Sequence, residues 1–167
     1  MIIPVTPSLI ESARSRAASA AASWSPKVTS GRLNPDALFI GALGEIGWSE
    51  GHPDHVYLVE GNLDFDAVSS TGETLEIKTR TISVPPSTVD LEHRIPVRQR
   101  HQSCGWYLFT CVEFSGGSPV NIHLLGWITK VRFWSTAVIL RDGELNGNMI
   151  VRGDSAFIRT SLLDSEA

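Results

Sequence analysis

The sequence predicts a single α/β domain, and three observations predict it. Its 167 residues are enough to bury a core without disulfide or metal staples. Hydrophobic residues make up 42% and charged residues 19%, the balance of a globular protein, and no low-complexity tract or internal repeat interrupts them. Two stretches with helix-start signals come first, and β-branched and aromatic runs bounded by turn residues follow. We therefore expect one domain over residues 1–167, with an N-terminal helix at about 7–23, a core at about 34–135 and a C-terminal β extension at about 137–163.

The first helix is expected in the alanine-rich stretch from Pro7 to Ser23, with Thr6 as N-cap and Pro7 in the first turn. Arg14 and Arg16 could reach a phosphate there but read rather as solvated surface arginines. Ser25–Leu33 reads as a linker. Asn34-Pro35-Asp36 then supplies a capping side chain, a proline for the first turn and an acid for the helix N-terminus, and Gly51 suits the end. On this second helix Leu38, Gly41, Ala42, Glu45 and Ser49 share one face. Gly41 and Gly44 each cost about 1 kcal/mol of helix propensity relative to Ala, which close approach of the helix to a sheet would explain.

The segment from Asp64 to Lys78 reads as a β-hairpin turning at Ser70-Thr71-Gly72. By the period of two, Asp64, Asp66 and Val68 share one face of its first strand, and Thr74, Glu76 and Lys78 share one face of the second. Symmetric folding about the turn puts Asp66 opposite Glu76, with Cβ atoms about 5 Å apart. Mg²⁺ and Mn²⁺ prefer such oxygen ligands, and Lys78 on the same face could steady an attacking water or the charge developing on a phosphate oxygen. The same pattern also describes the solvated face of an ordinary hairpin. If the helix face carrying Glu45 packs on this hairpin, Glu45 becomes a third carboxylate of the group.

Pro85-Pro86 ends the second strand and opens a loop expected to run to about Gln102, carrying His93, Arg94, Arg98, Arg100 and His101. Such a length suits a substrate-facing element or a mobile loop. Trp106–Phe114 and Val120–Ile128 read as inner strands, Thr129 as the cap of a short helix over Lys130–Ser135, and residues 137–163 as one or two edge strands. Cys104 and Cys111 bracket a strand and would stand about 23 Å apart, too far to bond, so both read as reduced, half-buried thiols. His52 and His55 lack two further ligands for zinc and read as surface residues.

A formal net charge of −4 excludes a protein held on nucleic acid by global charge alone, but not one with a local basic patch. Arg94, Arg98, Arg100 and His101 are that candidate patch. No apolar run reaches the length of a membrane span and the start Met-Ile-Ile-Pro-Val lacks the pattern of a signal peptide, so no membrane association and a cytoplasmic location are expected.

With these residues in view, the chain resembles the PD-(D/E)XK nuclease superfamily, and is similar to small phage and mobile-element members. Gly41-Ala-Leu-Gly-Glu45 looks like the family's glutamate-bearing helix, Asp66 like its metal-binding aspartate and Glu76-Ile-Lys78 like its E-x-K element, in the family's order. One departure is the lack of a proline before Asp66; the literal Pro53-Asp54 pair lies too far from Glu76 for a simple hairpin and reads as a loop. The resemblance implies a restriction-endonuclease-like core, a central mixed β-sheet flanked by helices. It implies a deoxyribonuclease, cutting DNA as endonuclease or exonuclease, that hydrolyses phosphodiester bonds by a Mg²⁺- or Mn²⁺-activated water. Asp66, Glu76 and the Ile77 backbone carbonyl would hold the ion, with Asp64 replacing or supplementing Asp66. Lys78 would orient the water, and Glu45 would serve a second ion or one of its waters. Gln99 or Gln102 resembles the auxiliary glutamine of some members. Arg80 joins the patch residues as a DNA contact, and a homodimer is expected where both strands are cut. The alternative is a catalytically inactive DNA-binding or assembly module on the same fold.

Overall fold

The computed structural model describes residues 1–23, 35–62, 64–86 and 90–165; the expected linker Ser25–Leu33 and the capping residue Asn34 lie outside them. The fold is mixed α/β. In chain order its elements are β1 (Ile2–Pro4), α1 (Pro7–Ser23), α2 (Pro35–Gly51), β2 (Val56–Leu58), β3 (Ala67–Ser69), β4 (Thr74–Ile82), β5 (Glu92–Pro96), a 3-10 helix at Val97–His101 and β6 (Trp106–Ser115). They continue with β7 (Ser118–Thr129), α3 (Lys130–Thr136), β8 (Val138–Leu140), β9 (Leu145–Asn146), β10 (Met149–Ile150) and β11 (Ser155–Arg159).

Both long helices begin where their signals lie, and the Thr6 hydroxyl accepts the Leu9 N–H at 3.2 Å to cap α1. Thr129 likewise accepts from Arg132 N at the start of α3. A six-stranded sheet in the order β1-β7-β6-β4-β3-β2 forms the middle of the molecule. Its pairs are antiparallel except β4 with β6, which run parallel from Leu75 beside Trp106 to Ile82 beside Glu113. Alternation along β4 and β6 serves two cores. Leu75, Ile77, Leu108 and Val112 pack under α1 and α2 with Leu9, Leu43 and Trp48. Tyr107 and Phe109 face the other way, toward Phe133 of α3 and Ile95 and Ile158 of a three-stranded sheet β5-β11-β8. The result is a layer of helices, a mixed sheet and a second, smaller sheet.

Four features correct the reading of the sequence. β1 is a strand, paired with β7 through Ile3 opposite Ile122. The segment after Pro86 is not a loop to Gln102, because it contains β5 and the 3-10 helix. The tail holds four strands rather than one or two, and β11 is central in its sheet, burying Ser155 to Ile158. Cys104 and Cys111 are fully buried rather than half-buried, and burial raises both thiol pKa values, that of Cys111 to about 12, so neither is a ready nucleophile.

His93 reports on the joint between the two sheets. Its ring meets Phe109 at 4.8 Å between centroids, and its Nε2 lies 2.9 Å from Thr160 Oγ1, whose own proton goes to the Leu91 carbonyl. Burial, and then the Arg80 charge, lower its pKa from 6.5 to about 4. The unfolded chain therefore binds a proton that the fold refuses between those values, so stability falls as pH drops from 6.5 to about 4. Urea midpoints at pH 7 and pH 4.5 are expected to differ less in His93→Phe than in the wild type; an unchanged difference would remove His93 from the acid response.

Candidate active site

Strand β4 builds the site because its side chains alternate between two environments. Leu75 and Ile77 go to the helix core, while Glu76, Lys78 and Arg80 face the second sheet. Strand β3 pairs with β4 through Ala67 opposite Leu75 and Val68 opposite Thr74. One step further in that register brings Asp66 opposite Glu76, as the hairpin symmetry predicts. Asp66 lies just before β3, where the strand edge of β4 opens. There its Oδ2 accepts the Ile77 N–H at 2.7 Å, and its own N–H bonds the Leu75 carbonyl at 2.9 Å. Since N–H and C=O of one strand residue point to one edge, the Ile77 carbonyl faces the edge that Asp66 occupies.

Glu76 is 7% exposed and is met by two donors, Lys78 Nζ at 2.5 Å and Gln102 Nε2 at 3.3 Å. The backbone carbonyl of Gln102 accepts from Lys130 Nζ of α3, which fixes the end of the 3-10 segment beside Glu76. The Gln102 side-chain oxygen, and that of Gln99, are buried without a hydrogen-bond partner. Of the two glutamines, the one on Glu76 is Gln102.

Glu45 reaches Asp66 from the helix layer. Gly44 lets α2 come close: a Cβ there would stand 2.0 Å from Thr79 Oγ1 of β4. Gly41 has no such role, since the nearest atom to its Cβ position is Glu45 Oε1 at 3.9 Å. Burial first, then the charges of Glu76 and Glu45, raise the Asp66 pKa from 3.8 to about 8. Asp66 is thus a buried carboxyl beside two others, each of which has its own cation, Arg16 on Glu45 and Lys78 on Glu76.

Arg16 is a residue that the sequence reading misplaced. It is not a solvated arginine, since Nε bonds Glu45 Oε2, and Nη2 donates to the carbonyls of Val59 at 3.0 Å and Asp66 at 3.5 Å. Arg14 is exposed as expected. Asp64 does not join the group: it is exposed and its N–H bonds Asn62 Oδ1 at 2.8 Å. His52 stacks on Trp48 at 5.0 Å, and exposed His55 bonds Ser70 Oγ.

The expected DNA-binding residues divide. Arg80 is spent on the Glu92 carbonyl at 2.5 Å, and Arg94 on Ser155 Oγ at 2.8 Å and the Arg152 carbonyl, so both tie the sheets together. Arg100 lies over the Trp134 ring at 5.5 Å. Arg98 and His101 are exposed, and Arg98 shares a pocket of about 410 Å³ with Arg94 and Arg152. A larger cleft of about 1320 Å³ runs along Ala17, Phe39, Ile82 and Phe114 and includes none of Glu45, Asp66, Glu76 and Lys78. The carboxylates lie at a sheet edge instead.

Among the described residues no three His, Cys, Asp or Glu side chains are close enough to hold one ion in common. Mg²⁺ needs fewer, since one or two carboxylates with carbonyl and water oxygens are its usual protein ligands. Asp66, Glu76 and the Ile77 carbonyl meet that requirement, and the unpartnered Gln102 oxygen adds an acceptor for an ion's water. The residues present fit a single hard divalent cation. No described helix is long and apolar enough to cross a membrane. Compared with known proteins, the chain matches no protein-family model and no curated protein.

Proposed function

We propose that this protein is a Mg²⁺- or Mn²⁺-dependent deoxyribonuclease on a restriction-endonuclease-like core. One observation carries the reading: Asp66 stands in register with Glu76 at the open end of a hairpin, with Lys78 on Glu76 and Glu45 close enough to raise the Asp66 pKa. Asp66, Glu76 and the Ile77 carbonyl would hold the ion. When bound, a divalent cation offsets phosphate charge and acidifies water. The Lys78 amine, 2.5 Å from Glu76, would orient the attacking water or help deprotonate it. Gln102 donates to the same Glu76 oxygen, Oε1, that Lys78 meets, and so helps to fix that carboxylate. Cleavage of linear, nicked, flapped and branched DNA in each metal tests the proposal; no cleavage of any of them would overturn it.

DNA would approach along the 3-10 segment, where Arg98 and Arg152 border one pocket and Gln102 leads to Glu76. Arg98→Ala with Arg152→Ala is expected to weaken DNA binding about tenfold and to reduce the salt dependence by about two ions. Fluorescence anisotropy across a salt series checks this, and an unchanged slope would place the DNA elsewhere. A homodimer would suit cutting of both strands.

A second reading, a non-catalytic DNA-binding or assembly module, is favoured by one observation: Lys78 and Arg16 already neutralise Glu76 and Glu45. It predicts DNA binding indifferent to metal and to Asp66→Ala.

A further inference from the structure

We propose that Arg16 takes the place of a second metal ion, so that the site binds one divalent cation per chain; this rests on the nuclease reading above. Glu45 is the one carboxylate of the three carried by a helix, α2, and it would be the natural ligand of a second ion beside Asp66. Arg16 holds it instead. The two side chains are largely buried, at 16% and 17% exposure, where an ion pair is not screened as a surface pair would be.

The pair is more than a chance contact between two long side chains. A guanidinium presents donors in a fixed fork, and Arg16 spends them on three partners of different origin. Nε goes to Glu45 of α2, and Nη2 goes to the Val59 and Asp66 carbonyls. Those carbonyls belong to the two ends of the loop that leads into the hairpin, which the Val59 N–H closes on Asp66 O at 2.9 Å. Carbonyls do not leave when a metal arrives, so Arg16 stays anchored whatever the ionic state of Glu45. Its backbone is equally fixed, on the face of α1 that buries Leu9 and Ala13.

Charge counting agrees. Glu45, Asp66 and Glu76 against Arg16 and Lys78 leave a formal −1 when all are ionised. One divalent ion turns this to +1, suited to a phosphodiester. Two would leave +3 in a partly buried corner, a heavy electrostatic cost.

Mn²⁺ titration of the full chain, followed by electron paramagnetic resonance of free Mn²⁺ and by calorimetry, reads the stoichiometry directly. The wild type is expected to bind one Mn²⁺, and Arg16→Gln, which frees Glu45, to bind two. Should Arg16→Gln fail to fold, Glu45→Gln is expected to keep one Mn²⁺ with affinity within about threefold of wild type. Two ions in the wild type would overturn this inference and leave the nuclease reading standing. One ion in both the wild type and a folded Arg16→Gln, or loss of the ion in Glu45→Gln, would also overturn it. No ion in any of them would remove both.

Discussion

Glu76→Gln and Lys78→Met are each expected to lower the rate of plasmid cleavage in Mg²⁺ and in Mn²⁺ about 10³-fold or more. The two residues lie on one face of β4, 2.5 Å apart, so each is the other's nearest charge. Glu76→Gln keeps the shape of the side chain and the Gln102 contact but removes the charge that would hold a cation. Lys78→Met keeps the apolar stem and removes the amine. Single-turnover rates across a metal titration separate the two effects: Glu76→Gln should be partly rescued by raising the metal concentration, and Lys78→Met should not. Circular dichroism must accompany both, because Glu76 is 7% exposed and loses its ion-pair partner in Lys78→Met. Retention of wild-type cleavage by either folded variant would sink the proposed mechanism.

Gly44→Ala is expected to destabilise the fold by about 3 kcal/mol, although alanine is the better helix former by about 1 kcal/mol. The added Cβ would lie 2.0 Å from Thr79 Oγ1, 2.9 Å from its Cγ2 and 3.0 Å from its Cβ. Threonine is branched at Cβ and rigid, so rotation about χ1 exchanges one clash for another, and α2 must lift from β4. Thr79 makes the test clean, since its hydroxyl is buried without a partner and its removal costs little. Urea denaturation of Gly44→Ala, Thr79→Ala and the double variant should show most of the loss recovered in the double. Additive losses would mean that contact with Thr79 is not the cause.

The parts of the fold that were legible are those whose signals are local. α1 runs from Pro7 to Ser23 as its cap and alanines dictate, and α2 ends at Gly51. The hairpin register followed from symmetry about Ser70-Thr71-Gly72 alone. β1 was missed because three residues, one of them a proline, carry no periodicity; only the partner β7 makes them a strand. β5 was missed because Glu92-His-Arg-Ile-Pro96 buries a histidine and an isoleucine, and a buried histidine reads as a polar interruption. β11 failed as an edge strand because it lies between two neighbours, and Ala156 to Ile158 are all buried. Arg16 was beyond any local pattern: its carboxylate partner lies 29 residues away, on another helix, and nothing in an alanine-rich stretch marks which arginine turns inward.

The three-stranded sheet has a consequence in time as well as in space. Glu76 is flanked by Gln102, which ends the segment that begins with β5. β5 in turn is paired along its whole length by β11, which follows every strand of the main sheet in chain order and joins Arg94 to Ser155 across 61 positions. A chain leaving the ribosome can therefore assemble the hairpin with Asp66, Glu76 and Lys78 well before the clamp on its flank exists. Closing a loop of that length is slow relative to forming a hairpin, so the carboxylate corner matures last, and a nascent chain carries its acids and its lysine with Gln102 not yet held beside them.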